Sequence, residues 1–277
     1  MTATATKKKK STKKESLPTK IRDWEKPIPF TETFKWDDLS SYNDTTFTAN
    51  SYTEWMGETL PIINSMGIGN KKGTKVGDWL FYLKPLPLFY WGSPFASFGF
   101  GFGGMGAKQH AMRSTLAVYR GETPRNVCFD AVVNIPVLAD KYLHPWMSLT
   151  PNEIFTLRGS IRRAKKDTAI AGLGMGWVAR KVLERKQVKH LTIYERSQDL
   201  IDFFGNPLVE DFGDRVSLVC CDAYDAPWMN HDVALWDIWQ GFGEAGWDRK
   251  YRKIRDEMRD ADKVCIGWGE GVHRSAY

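Results

Sequence analysis

The second half of the chain predicts an α/β fold, a mostly parallel sheet with helices on both faces. Three observations carry this reading. Strand-like and helix-like runs alternate from residue 150 onward; an apolar strand runs directly into the glycine turn Gly172-Leu173-Gly174-Met175-Gly176; and the next strand-like run ends on an acid, Glu195. Alternation of this kind builds βαβ units around a parallel sheet. The preceding residues, rich in aromatics and glycine, predict a region that contains β-strands.

Each element has its own signal. Thr150-Pro151-Asn152-Glu153 combines an N-cap threonine, a proline at the first helical position and a glutamate at the third. Ile154, Leu157 and Ile161 follow at helical spacing, so a helix should end near Lys165. Residues 168–171 read as a strand, and 177–185 as a helix with Val178, Val182 and Leu183 on one side. A strand over 191–194 follows, then a helix starting at Ser197 that carries Leu200, Ile201 and Phe204. Residues 216–221 and 233–236 are two more strands. Trp247, Tyr251, Ile254 and Met258 mark the inner stripe of another helix, before a last strand over 264–267. No internal repeat is visible.

The residues before this alternation are less regular. Residues 21–75 keep no period, and 67–73 reads as a turn or exposed loop. Residues 76–102 are dense in aromatics, but Pro85 and Pro87 argue against a helix and for short extended segments. Residues 99–106 hold five glycines, yet continue Ala107-Lys108-Gln109 where a phosphate loop needs Lys-Ser/Thr, so a lid or close backbone packing is expected. Residues 126–138 predict one or two buried strands. The chain thus divides into a basic tail over 1–20, an N-terminal cap or substrate region over 21–140, and a Rossmann-like domain over 141–277.

Charge is concentrated in the tail. The net charge is +6, but residues 1–22 carry eight basic groups against Glu15, and the remainder has 31 basic and 32 acidic residues. Such a tail is expected to be disordered and solubilising, or to make a weak, salt-sensitive nucleic-acid contact. No stretch of eighteen apolar residues and no signal-peptide core is present, which points to the cytoplasm. Cys128, Cys220, Cys221 and Cys265 show no metal or redox spacing and read as buried thiols; the five histidines form no ligand set.

The glycine turn carries the chemistry. Glycines let backbone turn tightly and approach a ligand without a Cβ in the way, and a helix N-terminus adds free N–H groups. Glu195 lies nineteen residues after Gly176, where a carboxylate accepts both ribose hydroxyls in adenosine-cofactor folds. The third strand ends Cys221-Asp222-Ala223 and the fourth Trp236-Asp237-Ile238-Trp239.

With these motifs in order, residues 145–268 resemble the class I S-adenosylmethionine-dependent methyltransferases, especially their spermidine-synthase-like branch. Tyr194-Glu195-Arg196-Ser197 followed by Leu200-Ile201 looks like that branch's second-strand motif. The resemblance implies S-adenosylmethionine as cofactor, its methionine end beside Gly172, Leu173, Gly174 and Gly176, its ribose on Glu195 and its adenine on Asp222 and Ala223. It implies that Asp237 faces the reacting centre, either orienting or deprotonating a nucleophile or holding the cofactor's amino group. It further implies that Met147, Ser148 and Thr150 border the mouth of the site.

Two departures narrow the reading. Ile170 stands where many class I members carry an acid before the first glycine, a substitution shared with the spermidine-synthase-like branch. Asp237-Ile238-Trp239-Gln240 has glutamine where aminopropyltransferases have a second acid, which argues against polyamine synthesis. The Asp/Asn-Pro-Pro-Tyr/Phe signature of DNA amino-methyltransferases is absent. The expectation is therefore a methyltransferase of unidentified acceptor. Its competitors are an aminopropyltransferase-like enzyme, an NAD(P)-dependent oxidoreductase using the same loop, and a Rossmann-like nucleic-acid-associated protein. Only about ten residues follow the fifth strand, too few for a closing hairpin. That edge should be covered by strands from 76–140, left open, or paired in a homo-oligomer.

Overall fold

A computed structural model describes residues 27–33, 45–66, 73–86, 127–240 and 244–270. The expectations for residues 1–22, 67–72 and 99–106 lie outside the described residues. The first part of the chain holds β1 (Thr45–Phe47), α1 (Ala49–Thr59), α2 (Ile62–Met66), β2 (Thr74–Val76), β3 (Trp79–Leu86), β4 (Val127–Phe129), β5 (Val133–Asp140) and β6 (Pro145–Ser148). The second part holds α3 (Pro151–Arg163), β7 (Lys166–Ala171), α4 (Trp177–Leu183), β8 (Val188–Glu195) and α5 (Gln198–Leu200). A π turn, Ile201–Gly205, leads into α6 (Asn206–Phe212), followed by β9 (Val216–Cys220), β10 (Val233–Trp236), α7 (Arg249–Asp260) and β11 (Val264–Gly267).

The central sheet is Rossmann-like, with order β11-β10-β7-β8-β9 and every neighbouring pair parallel. Side chains along a strand alternate between faces, and both faces here are covered. Ile170, Leu191, Ile193, Val233 and Leu235 enter one core with α3, α4 and the N-terminal region. Ala169, Ala171, Tyr194, Ala234 and Trp236 enter the other, where small alanines leave room for Trp228, Tyr251 and Met258. Strand order reverses between β7 and β10, which makes their carboxyl ends a topological switch point.

Local signals explain the boundaries. Thr150 Oγ1 accepts from Glu153 N at 3.4 Å, as an N-cap should. The reciprocal half of a capping box is not made, because the Glu153 carboxyl turns to Ser148 instead. Ser197 caps α5, and Asp248 caps α7 by accepting from Tyr251 N at 3.0 Å. Trp247, expected on the inner stripe of α7, precedes that cap and is 62% exposed; Arg255 is buried there instead, paired with Glu270. The three cysteines with described side chains are free, but Cys220 is exposed and Cys221 half-buried, contrary to the buried-thiol reading. They sit at and just after the end of β9, which is an edge strand among the described residues.

The N-terminal region forms its own antiparallel sheet, β2-β3-β5-β6, and a parallel pair, β1-β4. Its strands therefore do not cover β11, whose only strand partner among the described residues is β10. Aromatic packing fixes this region to the rest: Phe81 meets Phe204 at 5.2 Å between ring centroids, and Trp55 meets Trp177 at 6.4 Å. Burying rings of this size contributes about 1.5–3 kcal/mol each, enough to hold the antiparallel sheet over the carboxyl ends of the parallel one.

Candidate cofactor and active site

At the switch point the carboxyl ends of β7, β8 and β10 and strands β3 and β6 enclose a cleft of about 250 Å³. Gly172, Leu173, Gly174, Glu195, Asp222, Ala223 and Asp237 all line it. Gly176 does not; it is the N-cap of α4 with φ +78°, a left-handed conformation that favours glycine.

The glycine turn is shaped as much by its neighbours as by any ligand. Gly172 has φ +86°, and a Cβ there would lie 2.8 Å from the Asp237 carbonyl oxygen. Gly174 has φ +55°, and a Cβ there would collide with Met147 Sδ. The loop's N–H groups are largely taken within the chain. Gly172 N donates to Tyr194 O at 2.9 Å, Leu173 N to Glu195 Oε2 at 2.9 Å, Met175 N to Met147 Sδ at 3.1 Å and Gly176 N to Leu173 O at 2.9 Å. A thioether is a weak acceptor, so the Met175 N–H is the one held least firmly.

Glu195 is 6% exposed, and its second oxygen, Oε1, accepts from Ser197 N at 2.9 Å. A carboxylate offers about four lone-pair sites, so two backbone donors leave capacity for two hydroxyls. Asp222 is exposed at the cleft rim and caps a short turn through Tyr224 N at 2.9 Å, which orients its carboxylate; Ala223 beside it is buried. A buried acid with spare acceptor capacity, a small residue beside an exposed acid and a glycine cradle have the chemistry to fit an adenosine-containing cofactor.

Asp237 leaves β10 with its backbone N donating to Ala171 O at 3.1 Å. Part of its surface opens to the cleft, yet its surroundings are poor enough in water that desolvation pushes its carboxyl up to about 7. Glu153, 6% exposed, lines the same cleft. It accepts from Ser148 N at 3.0 Å and Ser148 Oγ at 2.6 Å. Desolvation, opposed by those hydrogen bonds and reinforced by the Asp237 charge, pushes Glu153 up to about 8. Ser148 and Thr150 thus lie behind the wall, buried, and of the three residues expected at the mouth Met147 alone lines the cleft.

Aromatic side chains complete the walls. Trp79 and Trp146 meet edge to face at 5.7 Å, Trp79 Nε1 donates to Ser197 Oγ at 3.0 Å, and the Arg196 guanidinium lies 5.4 Å from the Trp146 ring. On another wall Tyr224 Oη and Trp239 Nε1 both donate to Asp248. Of these, Trp79 belongs to the aromatic run visible in the sequence; Arg196 and Trp239 sit within the second- and fourth-strand motifs with no role assigned to them, Glu153 reads only as a capping-box acid, and Tyr224 and Trp268 carry no motif. Glu153 does have one further signal: it shares the i, i+4 row of Leu157 and Ile161, the apolar inner row of its helix. Among the described residues no group of three or more potential ligands could hold a metal, and no helix is long and apolar enough to cross a membrane.

No protein-family model matches the sequence, and no curated protein matches it. Solved structures similar to it include spermidine synthase from Thermotoga maritima, at 16% identity and TM-score 0.32, covering 44% of this chain and 48% of that one. Precorrin-8w decarboxylase from Methanobacterium thermoautotrophicum matches at 21% identity and TM-score 0.29, covering 40% and 58%. A dimethyladenosine transferase from Plasmodium falciparum matches at 15% identity and TM-score 0.26, covering 30% of each chain. The matched part thus spans well under two thirds of each of these proteins, and at this level of likeness their activities do not transfer to this chain.

Proposed function

We propose that the chain is an S-adenosylmethionine-dependent methyltransferase with Asp237 at the reacting end of the cleft. The observation that carries this reading is the meeting of Gly172, Gly174, Glu195, Asp222, Ala223 and Asp237 in one cleft at the switch point of a parallel sheet. Glu195 and the Asp222-Ala223 pair take the ribose and adenine, and the Gly172–Gly174 turn takes the amino-acid end. The cofactor supplies an electrophilic methyl group. The chain supplies alignment, which is most of what methyl transfer needs, and a carboxyl at Asp237 pushed to about 7, suited to accept a proton near neutral pH.

Titration calorimetry with S-adenosylmethionine, S-adenosylhomocysteine, decarboxylated S-adenosylmethionine and NADH tests the reading. Binding of the first two is expected. Preference for the decarboxylated compound would move the assignment to aminopropyl transfer, and binding of NADH alone would overturn it.

A further inference from the structure

We propose that Glu153 and Asp237 together form a subsite for a ligand's ammonium group, exchanging a shared proton for that positive charge. The inference rests on the cofactor-cleft reading and adds to it a second carboxyl and a ligand chemistry. Glu153 projects from α3 and Asp237 from the end of β10 onto the same cleft. Glu153 is anchored: Ser148 N and Ser148 Oγ hold its carboxyl, and it is too buried to swing into bulk water. The Asp237 carboxyl makes no hydrogen bond or ion pair among the described residues.

Among the described residues, the groups around the pair offer no counter-charge. From α1, Tyr52 donates its hydroxyl to Leu149 O, and its ionisation is opposed by burial and by Glu153. From β6 there is Ser148, and after β11 Trp268, whose indole donates to Thr156. Of the charged groups elsewhere on the cleft wall, Glu195 is held by two backbone N–H groups and Asp222 sits at the rim. Arg196, the one basic residue on the lining among the described residues, stacks over Trp146.

Two carboxyls facing one poorly hydrated cleft, near enough for the charge of Asp237 to act on Glu153, do not both stay charged, so one proton is retained near neutral pH. The upward displacement of both groups, to about 8 and about 7, agrees with this. An arriving ammonium lets both carboxyls ionise, and the retained proton leaves to solvent. One negative charge and one proton become two negative charges and one ammonium.

The ammonium belongs either to the amino-acid end of the methyl donor or to an amine acceptor. Calorimetry of the full chain near pH 7.5, in two buffers of different ionisation enthalpy, separates these. S-adenosylhomocysteine carries the amino group; 5′-methylthioadenosine lacks it; and n-propylamine added to the methylthioadenosine complex mimics an amine acceptor. The expected result is release of about one proton with S-adenosylhomocysteine or with propylamine, and none with methylthioadenosine alone. Which of the two amines releases it identifies the source. Glu153→Gln should abolish the release. Binding of S-adenosylhomocysteine with no proton released by either amine in the wild-type chain overturns the proposal and leaves the cofactor reading standing. Unchanged release in Glu153→Gln also overturns it. If neither adenosyl ligand binds, the cofactor reading falls and the proposal with it.

Discussion

Replacing Glu195 by glutamine tests the site where structure and cofactor reading meet. The two carboxylate oxygens accept Leu173 N and Ser197 N, each at 2.9 Å, in a residue only 6% exposed. A carboxamide of the same shape has one oxygen, so its NH2 must face one of those N–H donors. Leaving a buried donor unpaired costs about 1–3 kcal/mol, and the bond that survives loses its charge assistance, which roughly halves it. The expected loss of stability is therefore about 2–3 kcal/mol. Cofactor affinity should fall about 10- to 100-fold, because the amide nitrogen cannot accept from a ribose hydroxyl. Urea unfolding measures the first effect, and calorimetry with S-adenosylhomocysteine the second. An unchanged urea midpoint would refute the tether between Glu195 and the glycine turn. A stability loss with unchanged affinity would leave Glu195 a structural residue.

Other outcomes follow from the same geometry. Glu153 is raised from 4.5 to about 8 in the folded chain, so its neutral form favours folding. Its contribution is full below the unfolded value and is lost as pH rises through the folded one. Stability should fall by a few kcal/mol between about pH 5 and about pH 8, Asp237 adding the same sign up to about 7. Urea unfolding across that range checks this, and Glu153→Gln should flatten the curve. Gly174→Ala should cost about 1–2 kcal/mol in backbone strain at φ +55°, plus the displacement of Met147. Combining it with Met147→Ala should restore part of the loss, and strict additivity of the two would contradict the contact. Deleting residues 1–20 should leave cofactor affinity unchanged; a large loss would mean the basic tail contributes to the cleft.

The parallel sheet is legible in the sequence because its determinants are local. Thr150 and Pro151 start α3, and apolar residues of β7 run into left-handed glycines that only glycine tolerates cheaply. Acids at the ends of β8, β9 and β10 then fall at the carboxyl edge by topology alone. Pairings across long sequence separations are not legible. Glu153 looks like half of a capping box, and nothing nearby in sequence announces that Ser148 captures it or that Asp237, 84 residues later, faces the same cleft. Met147 against Gly174 and Asp248 against Tyr224 are likewise matters of three-dimensional packing. Trp247 shows the opposite error: its helical spacing matches the buried stripe, but the cap at Asp248 places it outside the helix.

Where an adenosine sits in the cleft decides the function of these residues, and a crystal structure of the complex with S-adenosylhomocysteine measures that directly. The expected result places both ribose hydroxyls within hydrogen-bonding distance of Glu195 and the adenine against Asp222 and Ala223. The amino-acid end should lie along Gly172–Gly174, with the Met147 thioether displaced from Met175 N. Ribose hydroxyls bound away from Glu195, or the ligand bound outside the switch-point cleft, would contradict the account.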